Sequence, residues 1–334
     1  MGAPATTGDQ ALQLERHRVE LAGYCYRMLA SGFEAEDAVQ ETFVRAWRAL
    51  DRFDATRGSL RAWLFAIATN VCLDMLRGPQ RRARAMDLGP ASPAGAALGD
   101  PIPESAWVLP VPDARVLPAG GDPADLAAQR ASIRLAFVAA LQHLPPRQRA
   151  VLILRDVLCW RAEEVARLLD TSLGSVTSAL QRARATVRRV APDAPADPLD
   201  ARQRDLLARY CAAFERYDVE GLVALLHEDA TMSMPPFTWW LRGRAEIRRV
   251  LLAGDRSCRG ARLLPVAANG SSALAQYRPG TPGGPCVPFA LIVVEAVGGR
   301  IAEITTYLGA ERLFPLFDLP PVYPPGMSSA APVR

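Results

Sequence analysis

Two interruptions limit what this chain can fold into. Residues 79–125 turn to Pro, Gly, Ala and Asp, as in PASPAGAALGDPIPE and PVPDARVLPAGGDP, and APDAPADPLD repeats the change near residues 191–200. Proline removes a backbone donor and glycine adds conformational entropy, so such runs end helices and read as linkers. The 334 residues are cut into three stretches, more than one ordinary core of roughly 100 to 150 residues would use. The expected organisation is multidomain. Residues 12–82 and 126–190 form two all-α domains, with 83–125 as a flexible linker and 191–200 as a second linker. Residues 201–320 form an α+β domain, and 321–334 a loose tail.

Composition narrows the class. Hydrophobic residues make up 50% of the chain, yet the uninterrupted apolar runs are short. Neither a spanning helix nor a secretory leader can be drawn, so a cytoplasmic protein with no membrane partner is expected. Cys25, Cys72, Cys159, Cys211, Cys258 and Cys286 are scattered singly, without CxxC pairs or clustered histidines, which argues for buried thiols and against a metal site or a disulfide framework. No cofactor is implied. The basic residues are all arginine, and a net charge of +4 is too small to name a partner by itself.

In the first stretch Ser31-Gly32-Phe33-Glu34 has the form of a capping box, so a helix is expected through EAEDAVQETFVRAWRAL. Val39, Phe43, Ala46 and Leu50 recur at helical spacing as its buried stripe, which leaves Asp37, Gln40, Glu41 and Arg48 facing elsewhere. A second helix follows Ser59, with Leu60, Trp63, Leu64, Ile67, Val71 and Met75 inward, and ends in the basic run Arg77 to Arg82.

DAVQETFVRAW followed by SLRAWLFAIATNVCLDMLR resembles regions 2.1 to 2.4 of the sigma-70 family of RNA polymerase initiation factors, in particular its small extracytoplasmic-function type. The resemblance implies that Asp37, Gln40, Glu41 and Arg45 dock on the β′ clamp helices of the polymerase core. It also implies that the second helix and the loop before it melt the minus-ten promoter element. Holding a flipped base needs a polar reader, an aromatic wall and cations for phosphates. Asn70 suits the first role and Arg77, Arg81 and Arg82 the last, whereas Trp63, on the apolar stripe, reads more readily as core.

From Pro145 to Arg189 the pattern is helix, helix, turn, helix. The turn Asp170 to Gly174 separates Val165, Leu168 and Leu169 from Val176, Leu180, Ala183 and Val187, as in a helix-turn-helix. The last helix carries Arg182, Arg184, Arg188 and Arg189 with no acid between Ser172 and Val190, which suits a major groove and its phosphates. Its place after the first domain makes PPRQRAVLILRDVL and GSVTSALQRARATV resemble sigma region 4, the reader of the minus-thirty-five element. That family usually has Lys or Arg where Thr177 stands, so one phosphate contact is missing. Ser175, Ser178, Gln181, Arg182 and Arg184 are the candidate DNA contacts. A disordered linker of this length spans roughly 40 Å, more than one helical turn of about 34 Å, so both promoter elements can be held at once.

The third stretch begins with helices and continues in β-branched runs at ATMSMP, SALAQY, FALIVVEAV and RIAEITTY, with Gly298-Gly299 as a tight hairpin turn. It resembles the SnoaL-like α+β cone. A candidate small-molecule pocket comprises His227, Met234, Trp239, Trp240 and Tyr277, and His227 with Asp229 could be read as acid–base groups, although capping and packing explain them as well. No catalytic residue is assigned. The expectation is an initiation factor that binds polymerase core (β′ clamp helices and β subunit) and promoter DNA and is modulated by its third domain. Two alternatives stay open: a SnoaL-type enzyme or ligand sensor fused to a DNA-binding region, and a polymerase-independent DNA-binding regulator.

Overall fold

The computed structural model describes residues 7–56, 58–78, 81–190, 201–254, 258–281 and 284–324. The chain divides into two compact units, and it passes between them more than once: residues 1–82 and 108–192 belong to the first unit, residues 83–107 and 193–334 to the second.

The first unit opens with α1 (Thr7–Glu15), α2 (Arg18–Leu29), α3 (Gly32–Arg48) and α4 (Leu60–Met75). Local chemistry starts the two longest of these. Ser31 Oγ accepts the Glu34 amide at 3.3 Å, and Ser59 Oγ accepts the Ala62 amide at 3.1 Å. On α3, Val39 and Ala46 are buried as the spacing predicts, while Phe43 and Leu50 are half-buried. Thr42 joins the core because its hydroxyl donates to the Ala38 carbonyl at 2.7 Å. The buried face of α4 is rotated from the expected one. Leu64, Phe65, Ala68, Thr69, Val71 and Cys72 point inward, while Leu60, Trp63 and Ile67 are half-buried and Met75 is 43% exposed.

The segment read as a free linker over 83–125 is ordered and divided between the units. After a short helix α5 (Ala85–Leu88), residues up to Trp107 lie on the second unit. Ser92 N–H donates to the Trp240 carbonyl at 2.7 Å and Ile102 N–H to the Pro236 carbonyl at 2.9 Å. Val108 to Leu117, including α6 (Asp113–Val116), packs along α2. The physical reason is apolar content: Trp107, Val108, Leu109, Val111, Val116 and Leu117 are all buried, and a solvated coil could not hide them. Leu109 exchanges two hydrogen bonds with region 26–30, from its amide to the Ala30 carbonyl and from Tyr26 Oη to its own carbonyl, both 2.9 Å.

The rest of the first unit is α7 (Pro123–Ala131), α8 (Leu135–Leu141), α9 (Pro146–Leu152), a π-helical turn at Ile153–Val157, α10 (Ala162–Leu168) and α11 (Leu173–Val190). Of these, α8 and α9 pack on α2, α9 and α10 pack on α4, and α11 packs on α8, α9 and α10. Trp160, in the turn before α10, lies with its ring 5.1 Å from Phe65 and 4.8 Å from the Arg61 guanidinium. Arg149 of α9 reaches the Met28 carbonyl and holds Gln142 Oε1 at 2.7 Å.

The second unit contains α12 (Ala201–Glu215), α13 (Val219–Ala224), α14 (Arg244–Ala253) and α15 (Ala310–Leu316) around one sheet. Its strands are β1 (Leu226–Ser233), β2 (Trp240–Arg242), β3 (Arg262–Ala268), β4 (Ser271–Pro279), β5 (Cys286–Val297) and β6 (Arg300–Leu308). The spatial order is β2-β1-β6-β5-β4-β3, with β1 and β6 parallel and the other pairs antiparallel. Gly298 and Gly299, at φ 60° and 73°, turn β5 into β6 as the sequence requires. The tail is bound as far as residue 323, where the Tyr323 amide donates to the Cys286 carbonyl at 2.9 Å. Residues 191–200 and 325–334, read as linker and loose tail, lie outside the described residues.

Candidate polymerase and promoter interfaces

The outer face of α3 presents Asp37 and Gln40 to solvent, flanked by Val44 at 41% and Trp47 at 42% exposure. Glu41 and Arg45 bond to each other at 2.6 Å, and Arg45 also lies 3.5 Å from Asp74 on α4. The four predicted docking residues therefore share one face, but two of them form an internal pair. Two exposed apolar side chains beside exposed polar ones are what a protein-binding surface needs, and the sequence reading left Val44 and Trp47 out. Their spacing of three on an amphipathic helix was the available signal.

On α4, Asn70 is exposed two helical turns after Trp63, so both lie on one side. Trp63 is half-buried against Phe53 of the preceding loop, with ring centroids 5.2 Å apart. The basic end of α4 is less uniform than its sequence. Arg77 is 80% exposed and touches Asp74 at 2.8 Å, and Arg81 is exposed, but Arg82 is buried and paired with Glu34. Arg82 is thereby removed from the set of free cations for DNA: its charge is spent on the start of α3.

Along α11, Val176, Leu180 and Ala183 are buried, and Ser175, Ser178, Gln181 and Arg182 are exposed on the opposite side. Ser172 Oγ accepts the Ser175 amide at 3.2 Å and starts the helix. Thr177 turns its hydroxyl back to the Leu173 carbonyl at 3.0 Å, so it offers nothing outward. Arg184 differs from the prediction. It grips Asp156 with two bonds of 2.8 and 2.7 Å, which raise its already high pKa, and it is half-exposed and not free.

The candidate pocket of the second unit does not assemble. Trp239 and Met234 belong to the apolar cluster between the sheet and α12–α14, along with Leu222, Leu263, Leu274 and Ile304. Tyr277 is packed between Phe314 and Tyr323, at 5.0 and 5.4 Å, and donates to the Pro320 carbonyl at 3.0 Å. Trp240 gives its indole N–H to the Gly89 carbonyl at 3.0 Å. His227 is exposed on β1, where Nδ1 accepts the Asp229 amide at 3.1 Å. Trp239, just before β2, and Leu241 within it join the apolar cluster, whereas Trp240 does not, so the two tryptophans do not share one cavity. Among the described residues no group of three or more His, Cys, Asp or Glu side chains could hold a metal ion.

Comparison with known proteins places this architecture. Sigma-70 region 2 matches residues 14–82, sigma-70 region 4 matches residues 134–187, and the SnoaL-like domain matches residues 207–304. The ECF RNA polymerase sigma factor SigG of Mycobacterium tuberculosis is 44% identical over 326 residues, which cover 94% of this chain and 84% of that protein. The chain belongs to the ECF family of RNA polymerase sigma factors.

It is accordingly a transcription initiation factor, with sigma regions 2 and 4 in the first unit and a SnoaL-like domain in the second. A shorter likeness joins this sigma factor to SigE of Mycolicibacterium smegmatis, 32% identical over 54% of the chain and 63% of that protein. The crystal structure of the extracytoplasmic-function sigma factor SigJ of M. tuberculosis has the same fold, with a TM-score of 0.60 at 24% identity over 93% of this chain and 100% of that one. Among the described residues no helix is long and apolar enough to cross a membrane.

Proposed function

We propose that this sigma factor docks on RNA polymerase core through the α3 face carrying Asp37, Gln40, Val44 and Trp47, with Glu41 and Arg45 as a supporting pair. Asn70 reads the minus-ten element, with Arg77 and Arg81 on its phosphates. Ser175, Ser178, Gln181 and Arg182 contact the upstream element. The observation that carries this assignment is exposure: Asp37, Gln40, Val44, Trp47, Asn70, Ser175, Ser178, Gln181 and Arg182 face solvent on helices whose opposite sides are buried, and Arg77 and Arg81 are exposed just beyond α4. The intracellular site of transcription makes the cytoplasm the place of action.

Charge reversal at Asp37 together with Gln40→Ala lowers affinity for core at least tenfold, measured by fluorescence anisotropy of labelled full chain. Asn70→Ala leaves core binding intact and lowers permanganate reactivity of the minus-ten region. If the α3 variant binds core like the wild type, the docking surface lies elsewhere.

The SnoaL-like domain acts as a regulatory module rather than an enzyme. His227 and Asp229 are exposed, the Asp229 amide donates to His227 Nδ1, and the apolar cluster beside the sheet is filled by aromatic and aliphatic side chains. Segment 83–107 belongs to the same unit and is hydrogen-bonded to Pro236 and Trp240. Run-off transcription by the full chain and by a chain ending at Pro198 will differ severalfold; equal output would end the regulatory reading.

A further inference from the structure

Helix α11 carries four arginines, and only one of them is answered by an acid. Among the described residues Arg182, Arg188 and Arg189 form no ion pair, whereas Arg184 holds Asp156 side-on, through Nε and one terminal nitrogen. Asp156 does not lie on α11 or on the other helix of the helix-turn-helix. It projects from the π-helical turn Ile153–Val157 that closes α9, where the Leu158 amide reaches back to the Ile153 carbonyl at 2.9 Å. A π-turn holds one residue more than an α-turn and redirects the side chains it carries. Here it sends Arg155 to the Trp160 carbonyl and Asp156 the other way, to Arg184.

Arg184 follows Gln181 by three residues and precedes Arg188 by four, so it sits on the edge of the exposed face. A cation at that edge of a groove-binding helix meets phosphate rather than base. The pair is largely solvent-exposed, at 51% and 29% for its two side chains, so it contributes little to stability. Its consequence is a change in charge.

We infer that Asp156 is an affinity-setting residue of region 4: it neutralises Arg184 and so withholds one cation from the DNA backbone. Each phosphate neutralised makes log K fall with log salt by about 0.9, a factor of roughly three between 50 and 200 mM. This attraction is blind to sequence. Removing one contact weakens binding to all DNA while leaving the base-reading face of Ser175, Ser178, Gln181 and Arg182 intact, which favours discrimination over bare affinity. The inference rests on α11 being the DNA helix.

The test uses the full chain and a labelled 30-base-pair duplex of random sequence, titrated at several NaCl concentrations. Asp156→Asn, which keeps the shape and one hydrogen bond, should tighten binding and steepen the salt slope by about 0.9. Arg184→Ala alone should leave the slope unchanged, and adding it to Asp156→Asn should restore the wild-type slope. An unchanged slope for Asp156→Asn overturns the inference, as does a slope made shallower by Arg184→Ala alone, because Arg184 would then already be on phosphate. Arg182→Ala separates the two claims. If it does not flatten the slope, α11 is not the DNA helix; if it does and Asp156→Asn changes nothing, only the role of Asp156 falls.

Discussion

Arg27 is 2% exposed on α2, with Nε and one terminal nitrogen on Ser132 Oγ at 3.0 and 2.7 Å and the other on the Gly23 carbonyl at 2.6 Å. Burial without a carboxylate pushes its pKa down to about 10, so it remains charged at neutral pH. Because the folded pKa is lowered below that of the unfolded chain, this site adds no pH dependence below about 10 and gains stability only above it. Replacing it leaves a cavity and unpaired acceptors. Arg27→Ala should lower the unfolding free energy by about 3 kcal/mol in urea titration; a loss below about 0.5 kcal/mol, the range of a neutral surface change, would show that the site relaxes freely. What was legible at this scale was local. Ser31 and Ser59 cap helices because the bond spans three residues. The pairings of Arg82 with Glu34 and Arg184 with Asp156 span 48 and 28 residues, and no spacing rule reveals them.

Elements were legible where periodicity was long, as on α3, α11, β5 and β6. They were not where a strand is three residues long, as β2 is, or where composition misleads. The linker is the clearest instance: its prolines and glycines read as coil, yet VLPVPDARVL holds five buried apolar residues, and that density was the overlooked signal. Gly23 records how closely this segment sits on α2, since a Cβ there would stand 2.6 Å from the Val116 carbonyl. Gly23→Ala should therefore destabilise the protein despite the gain of about 1 kcal/mol in helix propensity. Hydrogen exchange at Leu109, whose amide bonds Ala30, should speed up; unchanged exchange would mean that the segment tolerates the extra carbon.

In the whole molecule, regions 2 and 4 share one compact unit of about 165 residues, for which a radius of gyration of about 15 Å is expected. The minus-ten and minus-thirty-five elements are separated by roughly 85 Å of duplex at about 3.4 Å per base pair. Simultaneous contact with both elements through the faces proposed above requires the contacts of Trp160 with Phe65 and Arg61 and of Arg149 with Met28 to open. Energy transfer between dyes on α3 and α11 should fall sharply when holoenzyme binds a promoter; a constant signal would contradict simultaneous contact with both elements. The sequence could not show this packing, because Trp160 and Phe65 are far apart in the chain and either could serve a separate core.

Reconstitution of the full chain with RNA polymerase core, followed by mapping of transcript starts on genomic DNA, bears on all three scales at once. The chain should bind core, direct initiation at a defined set of sites, and lose that selectivity on Asn70→Ala. Tight binding to duplex promoter DNA without core, with no new transcript starts when core is added, would contradict the account.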